Sequence, residues 1–81
     1  MKVHNVKIKF DHAVSHQLGL KPWELRFNDR DYEVGDIMVF YVLKNADGIV
    51  IPEYEREIKF IFKGGEYGLD EDYVIMTLGK I

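Results

Sequence analysis

Five or six short segments of this chain carry the apolar spacing of β-strands and one carries that of a helix, and this restricts the fold more than any other feature of the sequence. In "VKIKF", Val6, Ile8 and Phe10 alternate with Lys7 and Lys9, the period of a strand with one buried face. In "PWELRF", Trp23, Leu25 and Phe27 point one way, toward the expected core, and Glu24 and Arg26 point the other. Pro22 suits the start of a strand and not a central ladder position. "IMVFYVLK" is apolar almost throughout, as in a strand buried on both faces for part of its length. "YEREIKFIF" sets Ile58, Phe60 and Phe62 on one face, and "YVIMTLG" supplies a last strand. "IVI" extends the sheet before Pro52 marks an edge or a break.

The helix lies between Asp11, which stands where an N-cap belongs, and Gly19, which stands where a C′ glycine belongs. Between them "HAVSHQL" places Val14 and Leu18 four residues apart, on one face. His12 and His16 have the same spacing. Two such histidines can bind a metal, but only His4 offers itself as a third ligand, so they read as exposed surface residues and no metal site is expected. "NDRDYEVGD" is a turn region built on Asn28, Asp29 and Gly35, and "NADG" is the clearest hairpin turn. "KGGEYGLDED" is a glycine-rich turn without the spacing of a phosphate loop. In a chain of 81 residues these elements make one domain over residues 1–81. The expected class is α+β: a small curled β-sheet or open β-barrel of five or six mostly antiparallel strands, capped by one short N-terminal helix.

Such a chain closes its core without covalent help. It has no cysteine, which removes disulfides and thiolate–metal sites and fits a reducing compartment. Apolar residues make up 47% of the chain, enough for a core. No apolar run approaches a membrane span, and Lys2, His4 and Lys7 interrupt the opening where a signal peptide would be apolar, so a cytoplasmic protein is expected. The net charge of −3 is unevenly spread: residues 1–30 carry six basic and three acidic side chains, and residues 31–81 carry five and 11. The overall acidity argues against strong non-specific DNA binding, while a local basic face can still meet an anion.

The chemistry concentrates in "GLKPWELRFNDRDYEVGD", residues 19–36, which holds eight charged side chains. Gly19 lets the backbone turn out of the helix, and Lys21 follows directly. Glu24 and Arg26 project from one face of the next strand, about 7 Å apart at the usual strand rise. Facing a cleft, two cations and a carboxylate can hold a phosphate or the polar edge of a base. Facing each other, they form an internal ion pair. A carboxylate beside a lysine can also do acid–base work. The sequence leaves these alternatives open. In the second cluster, Asp29, Arg30 and Asp31 knit the loop together or face a ligand, with Asp36 opening the next strand. Trp23 and Tyr67 can stack on a base, although such aromatics more often pack at the core or rim.

Taken in order, "HNVKIKFDHAVSHQLGLKPWELRFNDRDYEVGDIMVF" resembles the opening of a small bacterial and phage family of unknown function within the ASCH group of PUA-like domains. The shared motifs are H-x-x-K at His4 and Lys7, G-x-K-x-x-E-x-R at Gly19, Lys21, Glu24 and Arg26, and N-D-R-x-[FY]-x-V-G-D running from Asn28 to Asp36. "EYGLDEDYVIMTL" resembles the family's last strand, so the resemblance covers nearly the whole chain. It implies a PUA-like barrel with a helix-flanked cleft that carries the G-x-K-x-x-E-x-R residues. It also implies RNA, a nucleotide or a modified base as ligand, with no cofactor. On that analogy Lys21, Glu24, Arg26 and Arg30 bind the ligand, and His4 and Lys7 flank the cleft if the first strand neighbours the second.

Some small ASCH proteins are amidohydrolases that remove the acetyl group from N4-acetylcytidine with a lysine, a threonine and a glutamate. The lysine position here is Lys21 and the threonine position is Glu24, while the segment that supplies their glutamate has no counterpart between residues 45 and 65. The alternative function is thus a small amidohydrolase acting on an acylated nucleoside, with Lys21 as nucleophile or base and Glu24 as its acid–base partner. A third option is an accessory domain of a phage or mobile element that binds a host protein through the acidic stretch Glu53–Glu57.

Overall fold

The computed structural model describes residues Met1–Ile81 as β1 (Val3–Ile8), α1 (Phe10–Gln17), β2 (Trp23–Phe27), β3 (Ile37–Val42), β4 (Tyr54–Lys63) and β5 (Tyr73–Gly79). The strands form one sheet in the order β1-β3-β4-β5-β2. β1 and β3 run parallel, and the other three pairs are antiparallel. The sheet curls into a half-barrel that brings its edge strands, β1 and β2, toward each other. No backbone ladder joins these edges. Instead Arg26 Nη2 donates to the Lys7 carbonyl at 2.8 Å, and Arg30 Nη1 donates to the Asn5 carbonyl at 2.7 Å. Ile37 of β3 and Leu43, the residue after that strand, donate to the carbonyls of Lys2 and Ile8, so alternation leaves those of Asn5 and Lys7 on the free side of β1. Two guanidinium groups therefore cover an edge that could otherwise recruit another strand.

Register decides which side chains enter the core. Val6 and Ile8 stand beside Phe40 and Val42, and Phe40 stands beside Tyr54. Ile58 and Ile61 stand beside Leu78 and Met76. Met38, Phe40, Ile58 and Met76 are fully buried at these inward positions, and Ala13 of α1 joins them. β4 keeps an inward set only by breaking its period. A bulge at Lys59 shifts the register between Ile58 and Phe60, after which Ile61 turns inward. Ile58, Phe60 and Phe62 therefore do not share a face as expected, and Phe60 is 60% exposed.

The helix begins at Phe10, which is not the last residue of β1, and its cap is Lys9, which makes no side-chain capping bond. Asp11 lies in the first turn, where its charge meets the positive end of the helix. The expected C′ glycine is present: Gly19 has φ 73°, its N–H donates to the His16 carbonyl at 3.1 Å, and the Leu20 N–H donates to that of Ser15 at 3.0 Å. The inward helix face carries Ala13 and His16, while Leu18 is exposed, so the Val14–Leu18 face is not the buried one. "NADG" forms the turn between β3 and β4, where Asn45 Oδ1 accepts the N–H groups of Asp47 and Ile49 at 3.0 and 2.8 Å. Residues 49–51 are not a strand, which leaves five. No helix is long and apolar enough to cross a membrane.

Candidate functional site

β2 is turned over relative to its apolar pattern. Its antiparallel register with β5 places Glu24 beside Met76 and Arg26 beside Val74, both of which face inward. Directly opposite residues share a face, so Glu24 and Arg26 point into the half-barrel. Trp23, Leu25 and Phe27 point outward and are 42–51% exposed. The expectation that Trp23 packs the core is thus corrected. The inversion has a physical cause in what the interior supplies. Shifting β2 by one residue would bury three apolar side chains but would strand Glu24 and Arg26 away from their partners.

Those partners come from three directions. Arg26 Nε donates to Glu24 Oε2 at 2.8 Å, and Arg26 Nη2 forms an ion pair with the same oxygen at 2.7 Å. Lys21 Nζ donates to Glu24 Oε1 at 3.2 Å and lies 4.9 Å from the centre of the Trp23 ring. His16 of α1 brings Nε2 to 3.3 Å from Glu24 Oε1 and 3.1 Å from the Trp23 carbonyl. Both of these are acceptors, so Nε2 carries the proton and donates. In the uncharged ring, Nδ1 then accepts from the Tyr54 hydroxyl, 2.6 Å away. Burial and the Glu24 carboxylate push the Tyr54 hydroxyl up to about 12, so it keeps its proton. Burial pushes the Glu24 carboxyl upward too, but the His16 hydrogen bond and the Arg26 and Lys21 charges outweigh it and hold it below the ordinary carboxylate value. His16 is therefore no surface residue: it is 6% exposed, whereas His12 is exposed, so the two do not form a metal-binding pair. No three His, Asp or Glu side chains assemble into a metal site.

Lys21 separates two clefts. One, of about 630 Å³, lies along the seam between β2 and the end of β1. Lys7, Lys9, Lys21 and Arg26 line it with the aromatic rings of Trp23, Phe27 and Tyr73, and Glu24 is its sole carboxylate. The other, of about 480 Å³, lies where the C-terminal end of α1 meets β4 and β5, and Lys21, Arg56 and Lys80 line it. Both volumes suit a small ligand, for which pockets of roughly 300–1,000 Å³ are usual.

The remaining sequence candidates stand elsewhere. His4 is buried, and its Nε2 donates to Asp36 Oδ2 at 2.8 Å. Asp36 also accepts the N–H groups of Lys2 and Glu33, both at 3.0 Å, and is 1% exposed. Burial pushes its carboxyl upward, but the His4 bond and the two backbone N–H groups outweigh this and hold it low. His4 and Asp36 thus form an internal brace beneath Tyr32, whose ring centre lies 4.7 Å from that of His4. Arg30 reaches the Asn5 carbonyl and approaches Asp29 at 3.8 Å, knitting the loop to β1. Lys7 lines the seam cleft, although β1 does not pair with β2. Tyr67 is 94% exposed and lines neither cleft. His16, Tyr54, Arg56 and Lys80 were not singled out as site residues by the sequence. Of these only His16 carried a signal, its place one turn before the glycine that ends the helix.

No curated protein matches this sequence. A family model described as a domain of unknown function, DUF3850, matches residues 3–78, a span that contains every strand but the last residue of β5, the whole helix and all the residues of the Glu24 cluster. The chain belongs to this family of domains of unknown function, DUF3850.

Proposed function

We propose that the seam cleft binds RNA, a nucleotide or a modified base. The observation that carries this reading is the convergence of Lys21, Glu24 and Arg26 on one wall of a cleft that Lys7, Lys9 and His12 also line, together with the partly exposed rings of Trp23, Phe27 and Tyr73. Each part has a matching ligand group. Lys7, Lys9 and Lys21 suit a phosphate or polar sugar edge. The Trp23 ring offers a stacking surface for a base. Glu24 accepts from an exocyclic amine such as that of cytosine once a donor gives way. Lys21 is the donor suited to leave, because Arg26 lies closer to Glu24, at 2.7 and 2.8 Å against 3.2 Å for Lys21. Kinship with the ASCH group of PUA-like domains belongs to the same proposal. It is supported by the meeting of Lys21, Glu24 and Arg26, three charged residues of one motif, in a single site.

The test is binding of a short mixed-sequence RNA at low and moderate salt, read by fluorescence of Trp23, the single tryptophan of the chain. We expect affinity to fall as salt rises and to weaken in Lys21→Ala. Affinity indifferent to both would contradict the reading.

A second reading rests on the 3.2 Å contact between Lys21 Nζ and Glu24 Oε1. A lysine beside a carboxylate at a cleft wall is the pair that a small amidohydrolase acting on N4-acetylcytidine would use: with Lys21 as nucleophile or base, the bond between the acetyl carbon and N4 breaks, Glu24 carries a proton to the departing N4, and water takes up the acetyl group as acetate. Cytidine and acetate released above the no-enzyme control, and lost in Lys21→Ala, would support it. No product at high enzyme concentration would end it.

A further inference from the structure

The second cleft has its own charge pattern, distinct from that of the seam. Its charged lining consists of Lys21, Arg56 and Lys80, with no aspartate or glutamate among the lining residues. Lys21 is paired with Glu24, a carboxylate it shares with Arg26. Arg56 and Lys80 form no ion pair with any carboxylate. Two uncompensated cations face one recess of a protein whose net charge is −3. Arg56 is held in place: it stands beside Met38 in the β3–β4 register, its guanidinium lies 4.9 Å from the Tyr54 ring centre, and its Nη1 donates to the Glu55 carbonyl at 2.7 Å. The helix end that borders the recess is closed by its own Gly19 and Leu20 N–H groups, which cover the carbonyls of His16 and Ser15. This leaves the cations less opposed by the negative end of the helix.

We infer that this recess is a phosphate subsite, filled by the phosphate group attached to a nucleotide whose base lies in the seam cleft. The inference rests on the function proposed above and narrows it, because Lys21 is the shared wall of both clefts. A ligand that spans the two carries a phosphate as well as a base. The preferred class is therefore a nucleotide or a short single strand and not a free nucleoside. Arg56 offers a planar fork to the phosphate oxygens, and Lys80, on an exposed position after β5, adds a point charge.

The experiment compares cytidine, cytidine monophosphate, a cytidine dinucleotide and inorganic phosphate as probes of the intact chain. Trp23 fluorescence reports the seam, and the amide signals of Gly79 and Lys80 report the recess. We expect a phosphate-bearing probe to bind about tenfold or more tightly than cytidine. Lys80→Ala and Arg56→Gln are expected to remove most of that advantage while leaving cytidine affinity unchanged. Each is expected to lower the salt slope by about one. Lys80→Ala alone decides the matter if Arg56→Gln disturbs Tyr54. Equal affinity for cytidine and its phosphates, with the seam still responding, would overturn the subsite and leave the seam reading intact. An undiminished advantage in Lys80→Ala would do the same. Phosphate signals at Gly79 and Lys80 with no nucleotide response at Trp23 would overturn both readings.

Discussion

The half-barrel contains two buried histidine–carboxylate pairs, and they are built in different ways. Asp36 takes its hydrogen bonds from His4 and from two backbone N–H groups, those of Lys2 and Glu33. Backbone donors are fixed by the fold, so this carboxylate is satisfied for as long as the chain is folded. It ties the start of β1 to the loop before β3. Glu24 takes no backbone donor at all. Its partners are His16, Lys21 and Arg26, whose side chains arrive from α1, the segment after it and β2 itself. Lys21 and Arg26 both line the seam cleft, so a ligand can compete for them. A buried carboxylate saturated by backbone serves as a brace. One held by side chains at a cleft wall is able to exchange partners.

The contrast can be broken by substitution. Asp36→Ala leaves His4 and two backbone N–H groups without an acceptor, and a loss of about 3–5 kcal/mol in urea unfolding is expected, the range for breaking a buried pair. What remains folded is expected to bind RNA as the wild type does. Trp23→Ala is expected to do the opposite: RNA affinity falls by about 1–3 kcal/mol, the usual value of one stacking aromatic. Stability changes little, because Trp23 faces outward. Glu24→Gln keeps an acceptor and leaves Lys21 and Arg26 in contact with cleft water, so about 1–2 kcal/mol of stability is expected to be lost. A cost for Glu24→Gln above that for Asp36→Ala would reverse the comparison. Arg26→Lys removes the Nε bond to Glu24 and the Nη2 bond to the Lys7 carbonyl, with an expected loss of about 1 kcal/mol.

Acid sharpens the same contrast. Both carboxyls are held below their ordinary values, 3.8 for Asp36 and 4.5 for Glu24. A group lowered in the folded state binds its proton more readily when unfolded, so its contribution is complete above the ordinary value and disappears as the pH falls through the folded one. Unfolding measured from pH 7 downward is expected to show stability falling below about 4.5 in the wild type. Asp36→Asn and Glu24→Gln are each expected to flatten part of that fall.

The sequence made much of this fold legible. The glycine that ends α1 and the "NADG" turn are local features that stand where the sequence puts them, and the apolar alternation locates the strands without always giving their buried face. Two segments were misread, each for its own reason. In "PWELRF" the apolar alternation pointed Trp23, Leu25 and Phe27 inward, but the face of β2 is set by its register with β5 and by the donors that await Glu24. In "YEREIKFIF" a bulge at Lys59 breaks the period of two that the reading relied on. His16 was misplaced because Val14 and Leu18 appeared to define the buried helix face, whereas Ala13 and His16 do. Lys21, Glu24 and Arg26 were legible as a cluster from their spacing. Tyr54, Arg56 and Lys80 were not: Tyr54 meets His16 from β4, and Arg56 of β4 and Lys80, just after β5, meet Lys21 at the second cleft, all more than 25 residues along the chain, and no local spacing records such a meeting.

The most direct test is a two-dimensional amide and indole NMR titration of the labelled protein with a short mixed-sequence RNA. The two carboxylate pairs provide their own control within one spectrum. We expect the Trp23 indole and the amides of residues 21–26 to shift with RNA while those of Lys2 and Glu33, which bind Asp36, stay in place. Shifts confined to the Asp36 side, or none at residues 21–26 at low salt, would show that Glu24 is a second brace and not part of a ligand site.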